Sequence, residues 1–190
     1  KCSDFIAKFL KQNNISVVFD MAGGMIAHIE DSISKEDKIK CVSVKHEQAA
    51  GFAAEGYSRV KENFGVAMAT SGPGATNLIT AIGNCYFDST PVLFITGQVN
   101  TAEIKKNKNI RQNGFQETDI VSIVKTITKH TCLILDPKQI LYELEKALFI
   151  MMDRRYGPVL LDIPFNIQNS NITATKLKRF IGSNEHKILL

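Results

Sequence analysis

The chain has 190 residues, 44% of them apolar and 22% charged, which suits one compact domain with a sizeable core and excludes wholesale disorder. The net charge of +4 is spread along the chain. Its densest basic run, Lys105, Lys106 and Lys108 with Arg111 nearby, lacks the long stripe or interleaved aromatics of a nucleic-acid footprint and is read as a solvated loop. Even the longest apolar stretches, such as residues 147–152, fall far short of the roughly 20 residues that span a bilayer. Neither nucleic acid nor membrane is therefore expected as a partner.

The chain starts at Lys1, without a methionine and without a secretory signal, and runs straight into an amphipathic pattern. It is read as a trimmed piece of a longer protein. Cys2, Cys41, Cys85 and Cys132 are widely spaced and form no C-x-x-C pair, so free thiols in a reducing, cytoplasmic setting are expected rather than disulfides or structural zinc.

Ser3 is placed to cap a first helix with Phe5, Ile6, Phe9 and Leu10 on one face, ended by Asn13 and Asn14. Residues 15–19 read as a buried strand, followed by a turn at Gly23-Gly24 and a helix over 25–33. A second strand is expected over 39–44, an alanine-rich helix over 47–60, and a third strand over 65–70. Ser71-Gly72-Pro73-Gly74 makes a turn into a helix over about 75–86, and residues 91–96 form a fourth strand. Residues 98–114 are polar and show no period. A short helix follows over 118–124. Pro137 opens a helix to about residue 153, at an early position where its missing N–H costs little. Gly157-Pro158 leads into a last strand over 159–163, stopped by Pro164.

This alternation predicts an α/β domain with a parallel central sheet and helices on both faces. Apolar runs such as 92–95 and 159–161 fit strands covered on both sides. Residues 1–168 are assigned to the domain. From Asn169 the composition turns polar, and 169–190 read as a linker toward a further domain, with Ile188, Leu189 and Leu190 as the apolar sign that something follows.

Four strand-end loops carry the candidate chemistry. Ser71-Gly72-Pro73-Gly74-Ala75-Thr76-Asn77 joins a strand to a helix, where glycines allow close backbone approach and a helix start favours anions. It is neither a P-loop nor G-x-G-x-x-G, and an ordinary strand-to-helix turn is the alternative. His46-Glu47-Gln48-Ala49-Ala50 lacks the second histidine of a zinc protease. Glu47 stands at a strand end in apolar company, where a desolvated carboxyl exchanges protons near neutrality; a surface acid in a helix's first turn is the alternative. Gly23-Gly24 is a turn at the least. In Gly114-Phe115-Gln116-Glu117-Thr118-Asp119, Gln116 offers donors and acceptors and Phe115 an apolar face, with a helix start capped by Thr118 or Asp119 as the plain reading.

Taken together, these segments resemble the thiamine diphosphate enzymes of the acetolactate synthase type, in their N-terminal, pyrimidine-binding domain. The resemblance rests on residues 44–57, 70–77, Asp88-Ser89-Thr90-Pro91, Ile95-Thr96-Gly97-Gln98-Val99, residues 114–119, Thr128-Lys129-His130 and residues 157–164, and covers most of residues 1–168. It implies that Glu47 hydrogen-bonds the cofactor's aminopyrimidine ring. It also implies that Pro73 and Asn77 line the pyrimidine pocket, that Gly23 and Gly24 lie beside the reacting carbon, and that Phe115 and Gln116 face the substrate side. The implied reaction is decarboxylation of a 2-keto acid, pyruvate first, with transfer of the acyl carbanion equivalent to a second keto acid, as in branched-chain amino acid biosynthesis. Mg²⁺ would be bound by a further domain, since no Gly-Asp-Gly occurs here, and FAD would belong to the full-length protein. A homodimer or tetramer with its sites shared between subunits is implied as well.

The family's Gly-Tyr-Pro-Gly-Gly is replaced here by Asp20-Met21-Ala22-Gly23-Gly24, and residues 99–115 are longer and more basic than usual. Both departures bear on the substrate and leave the cofactor expectation intact. A different carboligase or decarboxylase, or a non-catalytic module that keeps the fold, are the alternatives. A nucleotide-binding domain is disfavoured, because no phosphate fingerprint is present.

Overall fold

The computed structural model describes residues 1–105 and 109–182. Lys106 and Lys108 of the basic run, and the apolar end at 188–190, lie outside the described residues; Lys105 and Arg111 are exposed. The elements run α1 (Cys2–Gln12), β1 (Val17–Asp20), α2 (Ala27–Ser34), β2 (Lys40–Ser43), α3 (Glu47–Lys61), β3 (Gly65–Ala69), α4 (Pro73–Asn77), α5 (Ile79–Phe87) and β4 (Val92–Gln98). They continue with α6 (Ile120–Val124), β5 (His130–Leu133), α7 (Ile140–Met152), β6 (Val159–Pro164) and α8 (Phe165–Gln168).

Among the described residues, six strands pair in parallel in one sheet, in the order β2-β1-β3-β4-β6-β5. Because successive side chains on a strand point to opposite faces, β3 feeds two cores at once. Val66 and Met68 join Ile6, Leu10, Ile29, Ile33, Leu144 and Met151 under α1, α2 and α7. Ala67 and Ala69 turn to the other side, with Ala54, Leu78, Ile82, Phe94, Ile120 and Val124 under α3, α5 and α6. Every residue of β3, β4 and β6 is buried, as parallel strands covered on both faces require. On the second face the helices pack closely: a Cβ on Gly51 of α3 would stand 2.4 Å from the Cβ of Ala81 on α5.

Several expectations are corrected. Ser3 is not a cap. The helix begins at Cys2, and Ser3 is buried inside it, accepting a hydrogen bond from Ser32 Oγ at 2.8 Å. The amino-terminal ammonium is instead 2.8 Å from the Asp4 carboxylate. The helix expected from residue 75 starts at Pro73 and is interrupted at Leu78. The helix expected from Met25 begins as a 3-10 turn over Gly24–Ile26. Strand β5 was not anticipated: its four residues are all half-buried and it forms the sheet edge beyond β6, so it carries no strong apolar run. Residues 98–105 and 109–114 are tied by side-chain bonds rather than by a period. Glu117 accepts from the Lys105 and Asn113 amides at 2.6 and 2.8 Å, and Asn166 from the Thr101 amide at 2.9 Å.

Past α8, Arg179 pairs with Glu145 at 2.7 Å and Phe180 packs edge-on against Tyr142. No helix among the described residues is long and apolar enough to cross a membrane.

Candidate functional site

In a parallel α/β sheet, ligands sit outside the carboxyl ends of the strands where the strand order reverses. Here the chain goes from β1 outward to β2 and then returns to β3 on the other side of β1. The crevice between the ends of β1 and β3 is therefore the place to look, and the candidate residues converge on it.

Glu47 is the first residue of α3, and His46 caps that helix by accepting from the Gln48 amide at 3.1 Å. This sets the Glu47 carboxylate at the helix's positive end. Although it opens a helix, Glu47 is only 7% exposed, so the surface-acid alternative is overturned. Its Oε2 accepts from Asn77 Nδ2 at 2.9 Å. That contact joins the start of α3 to the end of α4, thirty positions apart in the chain. Its Oε1 lies toward Gly74, where a Cβ would stand 3.3 Å away.

Thr70, just past β3, ties the loops together. A Cβ on Gly23 would stand 2.4 Å from Thr70 Cβ, and one on Gly74 would stand 2.7 Å from Thr70 Cγ2. Thr70 Oγ1 accepts from the Met25 amide at 3.1 Å. The absence of side chains at Gly23 and Gly74 is thus what lets the β1 and β3 loops close on one threonine. Gly24 differs: nothing lies within 4 Å of a Cβ there, so its surroundings are open.

Gly72 has a φ of +63°, and a Cβ there would meet the Gln116 carbonyl oxygen at 2.6 Å. Gln116, itself at φ +54°, is thereby seated against the Ser71–Gly74 turn. Phe115 beside it is 74% exposed. Pro73 is the first residue of α4 and is exposed, whereas Asn77 is half-buried. Asp119, rather than Thr118, caps α6, accepting from the Ser122 amide at 3.1 Å.

The Phe115–Gln116 turn is held from behind by a buried polar relay. Asp162 on β6 accepts from Thr96 Oγ1 at 2.7 Å and from Gln98 Nε2 at 2.9 Å. Gln98 Nε2 also donates to the Thr118 carbonyl at 2.8 Å, and Gln98 Oε1 accepts from the Val99 amide at 3.0 Å. Burial raises the Asp162 carboxyl to about 7, against the pull of the Thr96 and Gln98 hydrogen bonds.

The structure therefore brings Gly23, Glu47, Asn77 and Gln116 to one crevice, with Gly24 and Pro73 on its open side and Phe115 projecting outward. Thr70, Gln98 and Asp162 were not singled out as functional by sequence reasoning. The glycines at 23 and 74 signalled a close approach to something, but nothing in the chain named its partner.

A buried carboxyl held by a side-chain amide, with glycine beside it, can hydrogen-bond a planar nitrogen heterocycle. The cysteines belong elsewhere: they are free thiols, and burial pushes Cys2 and Cys132 up to about 12.

The family model described as thiamine pyrophosphate enzyme, N-terminal TPP binding domain matches residues 1–123. An acetolactate synthase large subunit from Corynebacterium glutamicum is 40% identical over 167 residues, covering 88% of this chain and 26% of the relative. A chloroplastic acetolactate synthase from Arabidopsis thaliana is 39% identical over 168 residues, with 88% and 24% covered. One from Oryza sativa subsp. japonica is 40% identical, with 88% and 25% covered. The chain thus spans about a quarter of the length of these relatives. With its all-parallel sheet and its loops gathered around Glu47, it belongs to the family of thiamine pyrophosphate enzyme N-terminal TPP binding domains.

Proposed function

We propose that the chain is the pyrimidine-binding part of a thiamine diphosphate-dependent enzyme of the acetolactate synthase type, acting on pyruvate or a related 2-keto acid. The observation that carries this is the buried Glu47 carboxylate, fixed by Asn77 at 2.9 Å beside Gly74. When bound, the cofactor supplies a carbanion-forming carbon and an electron sink for decarboxylation. Glu47 would hydrogen-bond the aminopyrimidine ring through its carboxyl group. Its partial desolvation strengthens that hydrogen bond, and Asn77 keeps the carboxyl from turning. Gly24, beside which nothing lies within 4 Å, would leave room beside the reacting centre, with Gly23 closed against Thr70 behind it; Pro73 and Asn77 would border the ring, and Gln116 would offer polar contact on the substrate side with Phe115 as its apolar neighbour.

Magnesium, the diphosphate anchor and FAD belong in this reading to the parts present in the longer relatives. So does the second subunit of a homodimer or tetramer that completes each site, in a cytoplasmic enzyme. Another thiamine diphosphate-dependent carboligase or decarboxylase with a different substrate is the second reading. It is favoured by Met21 and Ala22, which lead into Gly23, and by the loop organised around Glu117.

The test uses the protein at its relatives' length, with thiamine diphosphate, Mg²⁺ and pyruvate. Acetolactate from the wild type, and a rate reduced by two or more orders of magnitude in Glu47→Gln with its fold intact, is the expected result. A Glu47→Gln variant that turns over at the wild-type rate removes Glu47 from the chemistry. Cofactor binding without pyruvate consumption moves the substrate to the second reading.

A further inference from the structure

Behind the Gly23–Gly24 loop lies a second carboxyl group arrangement that the proposed reaction does not use. Asp20 ends β1 and is 1% exposed. Glu30 projects from α2 toward it, near enough for the Asp20 charge to act on its carboxyl. One oxygen of each, Asp20 Oδ1 and Glu30 Oε1, is buried and has no hydrogen-bond donor among the described residues. The other Asp20 oxygen accepts from Cys41 Sγ at 3.1 Å. Burial and both carboxylates push the Cys41 thiol far up, so it remains a donor throughout the physiological range.

Two adjacent buried acceptors without a donor are costly, by about 1–3 kcal/mol for each unsatisfied group and more where the group is charged. A single proton between them satisfies both, as in a carboxyl dyad where like charges at close range cannot both ionise. Among the described residues, the surrounding elements offer no compensating cation. From α1, Asp4 is engaged with the amino terminus and Ser32. From α2, His28 stacks on Phe165 of α8 with ring centroids 4.4 Å apart. On the α3 side, Glu47 is bonded to Asn77 and Tyr57 to Ser16. Lys40 of β2 and Lys45 beyond it are exposed.

The Gly23 N–H faces the Glu30 carboxyl. Gly23 is thus held between Thr70 on one side and Glu30 on the other. We propose that Asp20 and Glu30 share one proton and act together as positioning residues, fixing the Gly23–Gly24 loop from behind. Loss of that proton to solvent leaves two buried carboxylates in contact, drives Glu30 outward, and releases Gly23. Burial and the Asp20 charge both raise Glu30 from the ordinary carboxylate range toward neutrality, which places the release on the alkaline side. The meaning of this for catalysis rests on the reading of Gly23 and Gly24 given above; the shared proton itself does not.

The test is a carbon-13 NMR titration of the side-chain carboxyls of the chain from acid to alkaline pH, with the Gly23 amide followed in parallel. Because the dyad titrates as a unit, two steps are expected, separated by roughly two pH units or more, the upper one near neutrality. The Gly23 amide shift should move with the upper step. In Glu30→Gln, whose neutral amide donates to Asp20 permanently, the upper step should vanish and the Gly23 amide should become independent of pH. Both carboxyls titrating in the ordinary carboxylate range overturns the proposal, and so does a Gly23 amide that ignores the upper step. Neither outcome depends on the cofactor. Failure here is therefore distinct from failure of the Glu47→Gln experiment.

Discussion

Replacing Asp162 by Asn should change the pH dependence of stability more than stability itself. In the folded chain this carboxyl is wholly enclosed by β4, β6 and the loop after β4, and burial raises it from the ordinary value of 3.8 to about 7. The unfolded chain releases the same proton near pH 4. Between those values the folded state holds more protons than the unfolded one, so stability falls as pH rises. The slope approaches about 1.4 kcal/mol per pH unit, and about three units of separation set a ceiling near 4 kcal/mol. Asn at this position keeps the packing: its carbonyl can accept from Gln98, and the Thr96 hydroxyl can turn to accept from its amide. Urea unfolding at a series of pH values from 4.5 to 8 gives the comparison. The variant should gain about 2–4 kcal/mol on the wild type across that range. Parallel curves, with a drift under about 0.5 kcal/mol, would show that Asp162 titrates like an exposed acid and would refute the account of the relay behind the Phe115–Gln116 turn.

Other expectations follow from contacts at the crevice and in the core. Gly23→Ala drives a methyl group to 2.4 Å from Thr70 Cβ and should lower stability by about 1–3 kcal/mol in urea unfolding, whereas Gly24→Ala meets open space and should be neutral in the same assay. Phe94→Ala removes a wholly buried ring from the core under α3 and α5, and a loss of about 3–5 kcal/mol is expected by calorimetry. A thiol reagent at pH 8 should modify the native chain slowly, because burial raises all four cysteines. In denaturant it should titrate all four at once.

The elements that could be read from the sequence are those whose burial is written locally. β3 and the 92–95 and 159–161 stretches of β4 and β6 are apolar runs because helices cover both faces, and α3 shows its alanine-rich packing face in sequence. The four candidate loops could be read because glycine, proline and capping side chains mark strand-to-helix turns. β5 was hidden, since an edge strand of His130, Thr131, Cys132 and Leu133 needs only half the burial. Ser3 was misread because a serine near a helix start has two uses: here its hydroxyl meets Ser32 from α2, a partner no local pattern reveals. The same limit applies at the site. The residue type at Glu47 was informative, but its pairing with Asn77, the wedge of Thr70 between Gly23 and Gly74, and the meeting of Asp20 with Glu30 are products of chain crossings. They become visible only when β1 lies between β2 and β3.

The place of β6 in the sheet also orders events during synthesis. Of the six strands of this sheet it is the last to emerge from the ribosome, yet it sits inside, between β4 and β5. Until residue 164 is available, β4 has one finished neighbour and one bare edge, although all seven of its residues are destined for the interior. A nascent chain paused before β6 therefore displays an apolar strand with unpaired amides and carbonyls, the kind of edge that recruits other chains. The residues around the crevice are already translated at that moment, but the floor beneath Gln98 and Thr118 is still missing its Asp162. The floor of the crevice and the cover of β4's edge thus arrive in the same short stretch of translation.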